Sequence, residues 1–213
     1  MSAAANPAGT AATEVADRRQ SLIIAARGLI AERGFEGLRV REVAQRVGIN
    51  HATLHHYFPT KEILVTTVVS DTVRGLATFR AAQRSSALPA RDALRAYLRA
   101  VRAHMRDDPT PFMVLSELFL RARRDRALAA MLQQLDEGWT GFFVTLVKRG
   151  QREGDFRRDL DAAAVARILT TYLRGIRLRI QDKGAALARE HAQLESWIAA
   201  AANDAPTTRR SRR

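Results

Sequence analysis

The sequence predicts an all-α fold, with an N-terminal three-helix domain built around a helix-turn-helix and a longer helical domain behind it. Three observations carry that prediction. Apolar residues recur at spacings of three and four over almost all of the chain between its two ends. No stretch of alternating, β-branched-rich residues lies between turn signals. The interruptions fall largely at Gly and Pro, where helices stop.

Leu22, Ala25, Ala26, Leu29 and Ile30 make one stripe on a helix from about Asp17 to Arg33, and Gly34 ends it. A short helix follows from about Arg39 to Val47, with Val40, Val43, Ala44 and Val47 as its inner face. Gly48 stands where a tight turn needs positive φ, Ile49 plugs that turn, and Asn50 is a natural N-cap. A third short helix covers about His51 to Phe58, with Leu54, Tyr57 and Phe58 inward. Pro59 and Thr60 break it, and a long helix runs from near Lys61 to about Arg80 through Ile63, Leu64, Val68, Val69 and Val73.

Five more helices are predicted over Arg91–Arg106, Thr110–Arg123, Arg126–Arg152, Ala162–Gln181 and Ala185–Ala202. Two of them carry wide apolar stripes. One holds Leu128, Met131, Leu132, Leu135, Trp139, Phe142, Phe143, Leu146 and Gly150. The other holds Val165, Ile168, Leu169, Tyr172, Leu173, Ile176 and Ile180. Each stripe suits a core; the pair also suits a subunit interface, two helices from each chain forming a four-helix bundle. The chain thus divides into a flexible arm at 1–16, a helix-turn-helix domain at 17–64, a second helical domain at 65–202 and a basic tail at 203–213.

Composition narrows the function. With 213 residues, 46% of them hydrophobic and 27% charged, the chain reads as soluble and globular. A chain of this size buries roughly 70–75% of its unfolded surface. There is no Cys, which excludes disulfides, thiol nucleophiles and thiolate zinc sites. No apolar run approaches the roughly 18 residues of a membrane span, and the Ala-rich start lacks the basic and apolar regions of a secretory signal. The expectation is a cytoplasmic protein with no membrane partner. The 35 Lys and Arg against 22 Asp and Glu give a net charge of +13 and point to a polyanionic partner, nucleic acid first.

The segment from Val40 to Phe58 is the sharpest signal: helix, glycine turn, helix, with a small Ala44 where the helices approach. The second helix keeps one side apolar and offers His51, Thr53, His55 and His56 on the other. A helix with a polar outer face can enter a major groove; an ordinary helical hairpin is the alternative.

Residues 18–65 resemble the DNA-binding domain of the TetR family of bacterial transcriptional repressors. The resemblance rests on Gly34-Phe35-Glu36-Gly37-Leu38, Val40-Arg41-Glu42-Val43-Ala44, Val47-Gly48-Ile49-Asn50, Thr53-Leu54, and Phe58-Pro59-Thr60-Lys61-Glu62-Ile63-Leu64. A looser likeness follows at Leu115-Ser116-Glu117-Leu118 with Arg124-Asp125, at Gly154-Asp155-Phe156 before Asp159-Leu160-Asp161, and at Arg174-Gly175-Ile176; these look like the family's ligand-binding and dimerisation half. The chain departs from the family at Arg39, where Thr or Ser usually caps the helix, and at His55, where Tyr is usual.

The resemblance implies a homodimeric repressor on a double-stranded DNA operator, released by a small apolar or amphipathic ligand. It places DNA contacts at Arg39, Arg41, Gln45, Asn50, His51, Ala52, Thr53, His55, His56 and Lys61. Arg41 reaches a base edge, Ala52 offers a methyl surface to thymine, and Lys61 holds a phosphate at a helix N-terminus. The aromatic, Met and polar side chains behind that domain that are candidates for ligand contact are Phe79, His104, Phe112, Met113, Glu117, Met131, Trp139, Phe143 and Tyr172. Glu117 lies among apolar neighbours and is expected to pair with an Arg.

His51 and His55 are four apart, a spacing that can place both on one metal, but no carboxylate or third His lies nearby in sequence. No metal and no cofactor is expected. Nor is any catalytic residue, since no nucleophile motif, glycine-rich phosphate loop or paired metal ligand set is present. An all-α enzyme and a charge-driven architectural DNA-binding protein are the competing readings.

Overall fold

The computed structural model describes residues 7–84, 87–179 and 185–200, and the chain forms two compact units, 1–75 and 76–213. The basic tail predicted at 203–213 lies outside the described residues, as do the first six residues of the predicted arm.

The first unit holds α1 (Pro7–Gly37), α2 (Val40–Val47), α3 (His51–Tyr57) and α4 (Lys61–Ala82) up to Gly75. Helix α1 starts at Pro7 rather than near Asp17, and its path breaks at Gly34 (φ 69°, ψ 176°). Leu22, Ala26, Leu29 and Ile30 are buried, together with Phe35, Leu38, Val43, Ala44, Leu54, Phe58, Leu64 and Val68. Apart from Phe35 and Leu38, which no predicted stripe included, that set comes from the predicted inner faces of four helices meeting in one core. Several predicted inward residues are not part of it: Ala25, Val40, Val47 and Val73 are only half-buried. Tyr57 is only half-buried, and Ile63 is 46% exposed. Ile63 stands one residue before Leu64, off the row of Leu64 and Val68, four apart, that faces the core.

Ion pairs trim the outer side of α1 and α2. Arg33 meets Glu42 at 2.5 Å, and Arg46 grips both oxygens of Glu32 at 2.8 and 2.5 Å. These pairs are exposed and contribute little to stability. Arg27 on α1 pairs with Asp71 on α4 at 3.4 Å in a half-buried setting.

The second unit contains α5 (Ala90–Asp107), α6 (Thr110–Ala122), α7 (Arg126–Glu153), α8 (Ala162–Ile176), a 3-10 turn at Arg177–Arg179, and α9 (Ala185–Ile198). Helix α7 packs along α8 and also meets α5 and α6, while α9 packs on α5. Asp125 and Asp161 cap α7 and α8, accepting bonds from Leu128 N–H and Ala163 N–H. Where α7 ends, Gly150 lies so close to the Phe156 ring that a Cβ there would collide with it. Phe156 is itself fully buried, and its neighbours Asp155 and Arg157 bond to the end of α9.

The helix predicted over Ala162–Gln181 stops at Ile176 and tightens into the 3-10 turn; Gly175 lowers helix propensity at that point. The two wide stripes are consumed largely inside the chain. On α7 all but half-buried Met131 are buried; on α8 Val165, Leu169, Leu173 and Ile176 are buried. Ile168 is the exception at 59% exposed, Tyr172 is half-buried, and Ile180 lies outside the described residues. Most of the two stripes is therefore core. What α8 leaves outward is a second, smaller-featured line: half-buried Ala164, then exposed Ile168, Thr171, Gly175 and, on the 3-10 turn, Leu178. These residues are spaced four, three, four and three apart, one face of a helix.

Candidate nucleic-acid interface and buried cavity

The turn between α2 and α3 is fixed by local chemistry. Gly48 takes the left-handed conformation (φ 73°, ψ 31°), and its N–H bonds back to the end of α2. Asn50 then caps α3, its side-chain oxygen accepting from Thr53 N–H at 2.7 Å. Leu54 and Phe58, both buried, pin α3 to the core by one side only. The opposite side puts His51, Ala52, His55 and His56 into solvent, with Thr53 half-buried at the edge. Replacing Asn50 with Ala should lower the unit's stability by about 1 kcal/mol, read by chemical denaturation; an unchanged midpoint would show that the cap is dispensable.

The bonds of the two histidines define their tautomers. His55 Nδ1 lies 3.1 Å from the Pro59 carbonyl oxygen, which only accepts, so Nδ1 carries the proton. In the neutral ring, Nε2 is then an acceptor. It lies 3.2 Å from His51 Nε2, which must donate to it. The rings meet edge to face, with centroids 4.4 Å apart. With both rings neutral, His51 Nδ1 is then an acceptor, suited to an exocyclic amino group of cytosine or adenine. Among the described residues no group of three or more His, Asp or Glu converges on one point.

Arg41 and Gln45 lie four apart and exposed on α2. Arg41 has no ion-pair partner among the described residues, unlike its neighbours Arg33 and Arg46. Arg39 occupies the N-cap of α2 without capping it; its guanidinium donates instead to the Glu36 carbonyl at 2.9 Å. Lys61 opens α4, half-exposed and unpaired among the described residues. Thr60 Oγ1 accepts from Ile63 N–H at 3.2 Å, closing that helix end. Beside it, the Glu62 carboxyl is held below its ordinary range by its own backbone N–H and the Thr60 hydroxyl, with Lys61 adding to the effect. An amide-rich terminus that stabilises one carboxylate is also favourable to a phosphate.

In the second unit a narrow cavity of about 20 Å³ is lined by Phe79, Tyr97, Val101, Phe112, Asp136, Trp139, Thr170, Leu173, Arg174 and Arg177. Trp139 Nε1–H donates to the Tyr97 hydroxyl, and burial pushes the Tyr97 phenol well above its ordinary value. His104 stacks on Phe79 at 4.9 Å and meets Phe112 edge-on at 5.2 Å, so it backs the wall. Asp136 is paired with Arg174.

Two family patterns match this chain. The one described as bacterial regulatory proteins, tetR family, covers residues 22–68; the one described as BetI-type transcriptional repressor, C-terminal, covers residues 89–203. The chain belongs to the TetR family. It is a TetR-type DNA-binding transcriptional regulator, and the family consists of regulators rather than enzymes.

Relatives agree. The HTH-type transcriptional regulator UidR of Escherichia coli (strain K12) is 25% identical over 179 residues, spanning 84% of this chain and 88% of that protein. The HTH-type transcriptional regulator CymR of Pseudomonas putida is 28% identical over 180 residues, spanning 80% and 82%. A TetR-family regulator structure from Agrobacterium tumefaciens shares the fold with a TM-score of 0.75 at 22% identity, over 87% of this chain and all of that one. Among the described residues no helix is long and apolar enough to cross a membrane.

Within this TetR-family chain the outward residues predicted for DNA contact gather on α2, on α3 and at the start of α4. The ligand candidates do not gather so well. Phe79, Phe112 and Trp139 line the cavity. Phe143 is buried behind Tyr97, ring edge to face at 5.3 Å. Met113 and Met131 are half-buried and do not line it. Tyr172 belongs to a different cluster, donating to Glu190 at 3.0 Å beside a buried His191 that burial pushes down to about 4. Glu117 is half-exposed with no ion pair among the described residues; partial hydration replaces the expected Arg partner. Tyr97, Asp136, Arg174 and Arg177 were not foreseen. Their signal in the sequence is only that of polar groups on amphipathic helices.

Proposed function

We propose that this TetR-family regulator binds a palindromic operator as a two-fold dimer and is released by a small apolar or amphipathic ligand held in the second unit. The observation that carries the DNA half is the shared outward setting of Arg41, Gln45, His51, Ala52 and His55, with Lys61 at a helix N-terminus beside them. In this reading α3 enters the major groove, Arg41 reaches a guanine edge, and Arg39, Asn50, Thr53, His56 and Lys61 serve the backbone or flanking bases. The functional division follows the predicted domains, 17–64 for DNA and 65–202 for ligand and dimer. The basic tail at 203–213 adds sequence-independent phosphate affinity. Such a regulator works in the cytoplasm.

Release follows from the narrowness of the cavity. Its volume holds about one water, so a ligand can enter only by moving wall side chains. One wall residue, Phe79, stands on α4, the helix that Lys61 opens. Displacement along α4 would alter the recognition helices' spacing, which must match the operator; coupling of this kind is typically about 1–3 kcal/mol.

The DNA assignment is tested by operator binding across single-base variants and salt concentrations. Arg41→Ala should cost about 1–3 kcal/mol and relax preference at one base pair per half-site. Lys61→Ala should weaken all sequences alike and reduce the salt slope by about one ion per half-site. Uniform loss with base preferences intact in Arg41→Ala would make Arg41 a phosphate contact.

A further inference from the structure

The cavity of the second unit carries a charge that its walls do not balance. Arg177 lines it and is only 6% exposed. Among the described residues Arg177 makes no hydrogen bond and no ion pair. Its guanidinium lies over the Phe119 ring at 5.0 Å. The one carboxylate in the lining, Asp136, is ion-paired with Arg174 and acts on Arg177 only through space, without a direct bond. A third guanidinium stands close by: Arg80 lies over the Trp139 ring at 5.6 Å. The cavity neighbourhood thus holds three cations and one anion.

Burial pushes Arg177 down to about 10, which still leaves it charged at neutral pH. A buried cation without a partner destabilises a fold, and such groups persist where function uses them. A guanidinium presents paired N–H donors that match a carboxylate. Around it stand Phe79, Tyr97, Phe112 and Trp139, faces suited to a flat or branched apolar body. A cationic ligand would meet Arg177 with like charge in a site of low polarity.

We propose that this cavity takes a small organic acid with an aromatic or branched apolar body, its carboxylate paired with Arg177. The inference rests on the reading that this cavity is the ligand site. It refines the ligand from amphipathic to anionic and assigns the residue that selects the charge.

Calorimetric titration of the full chain with three compounds of one shape tests it: 3-phenylpropionate, 3-phenylpropanamide and 3-phenylpropylammonium. The acid should bind at least about tenfold more tightly than the amide, as a charge-assisted bond outweighs a neutral one. The ammonium compound should show no binding. In Arg177→Met the preference for acid over amide should vanish. That variant should also melt about 2–4 °C higher, since it removes an unpaired buried charge. Equal binding of acid and amide by the wild-type chain overturns the anionic class while leaving the cavity as the ligand site, and this comparison needs no variant. Acid preference retained in Arg177→Met, or a lower melting midpoint, overturns the role of Arg177. Binding of none of the three at millimolar concentration overturns the reading of the cavity itself.

Discussion

Glutamate in place of Ile168 should lower operator affinity by about 10²–10⁴-fold while leaving the chain folded. Ile168 is 59% exposed on α8, in line with Ala164, Thr171, Gly175 and Leu178. Exposed Gly141 and Thr145 stand on α7, which packs along α8. A face of small side chains with Ile168 and Leu178 as knobs would let a second copy approach closely, and a two-fold pairing would join the same face of each copy. A carboxylate at its centre would be buried without a partner on association. Losing the dimer removes the second half-site contact, and with it the gain from linking two weak interactions. Sedimentation should show a monomer for Ile168→Glu at concentrations where the wild-type chain is a dimer. A variant that stays dimeric with full operator affinity would place the interface elsewhere.

Leu54→Ala should cost the first unit about 2–5 kcal/mol. Leu54 is fully buried and is, with Phe58, the anchor of a seven-residue helix that has no length of its own to stabilise it. The loss is a large fraction of the roughly 5–15 kcal/mol that holds a typical domain together. Denaturant titration should show it, and operator binding should fall in parallel because α3 is no longer held. A loss below about 1 kcal/mol would mean that the site collapses around the smaller side chain and that α3 is anchored by other contacts.

The helix-turn-helix was legible because its determinants are local. Gly48 sets the turn, Asn50 caps the next helix, and Val43, Ala44 and Leu54 are spaced for one core. None of these needs knowledge of a distant residue. The cavity was hardly legible, since its walls come from five helices and a 3-10 turn, from Phe79 to Arg177. Periodicity identifies which side chains face inward but not which of those meet at a gap. Phe79, Phe112 and Trp139 were found because large aromatic rings line most interior spaces. Met113 and Met131 share that chemistry but lie half-buried outside it. Arg177 carries no such signal, because an Arg near a helix end ordinarily belongs to solvent. Only the tightening of α8 into its final turn buries it.

The same holds for α7 and α8. Their large apolar side chains mark the faces that pack within the chain. The outward line on α8 is made of residues too small to register as a stripe, and Ile168 alone belongs to both descriptions.

Protection of operator DNA from cleavage by the full chain tests the central claim most directly. The account predicts a short protected segment whose two halves are related by two-fold symmetry, centred about one helical turn or a multiple apart, with protection lost at high salt. Protection spread evenly along the DNA, with no symmetric segment at any salt concentration, would contradict it and would make this chain a binder driven by charge alone.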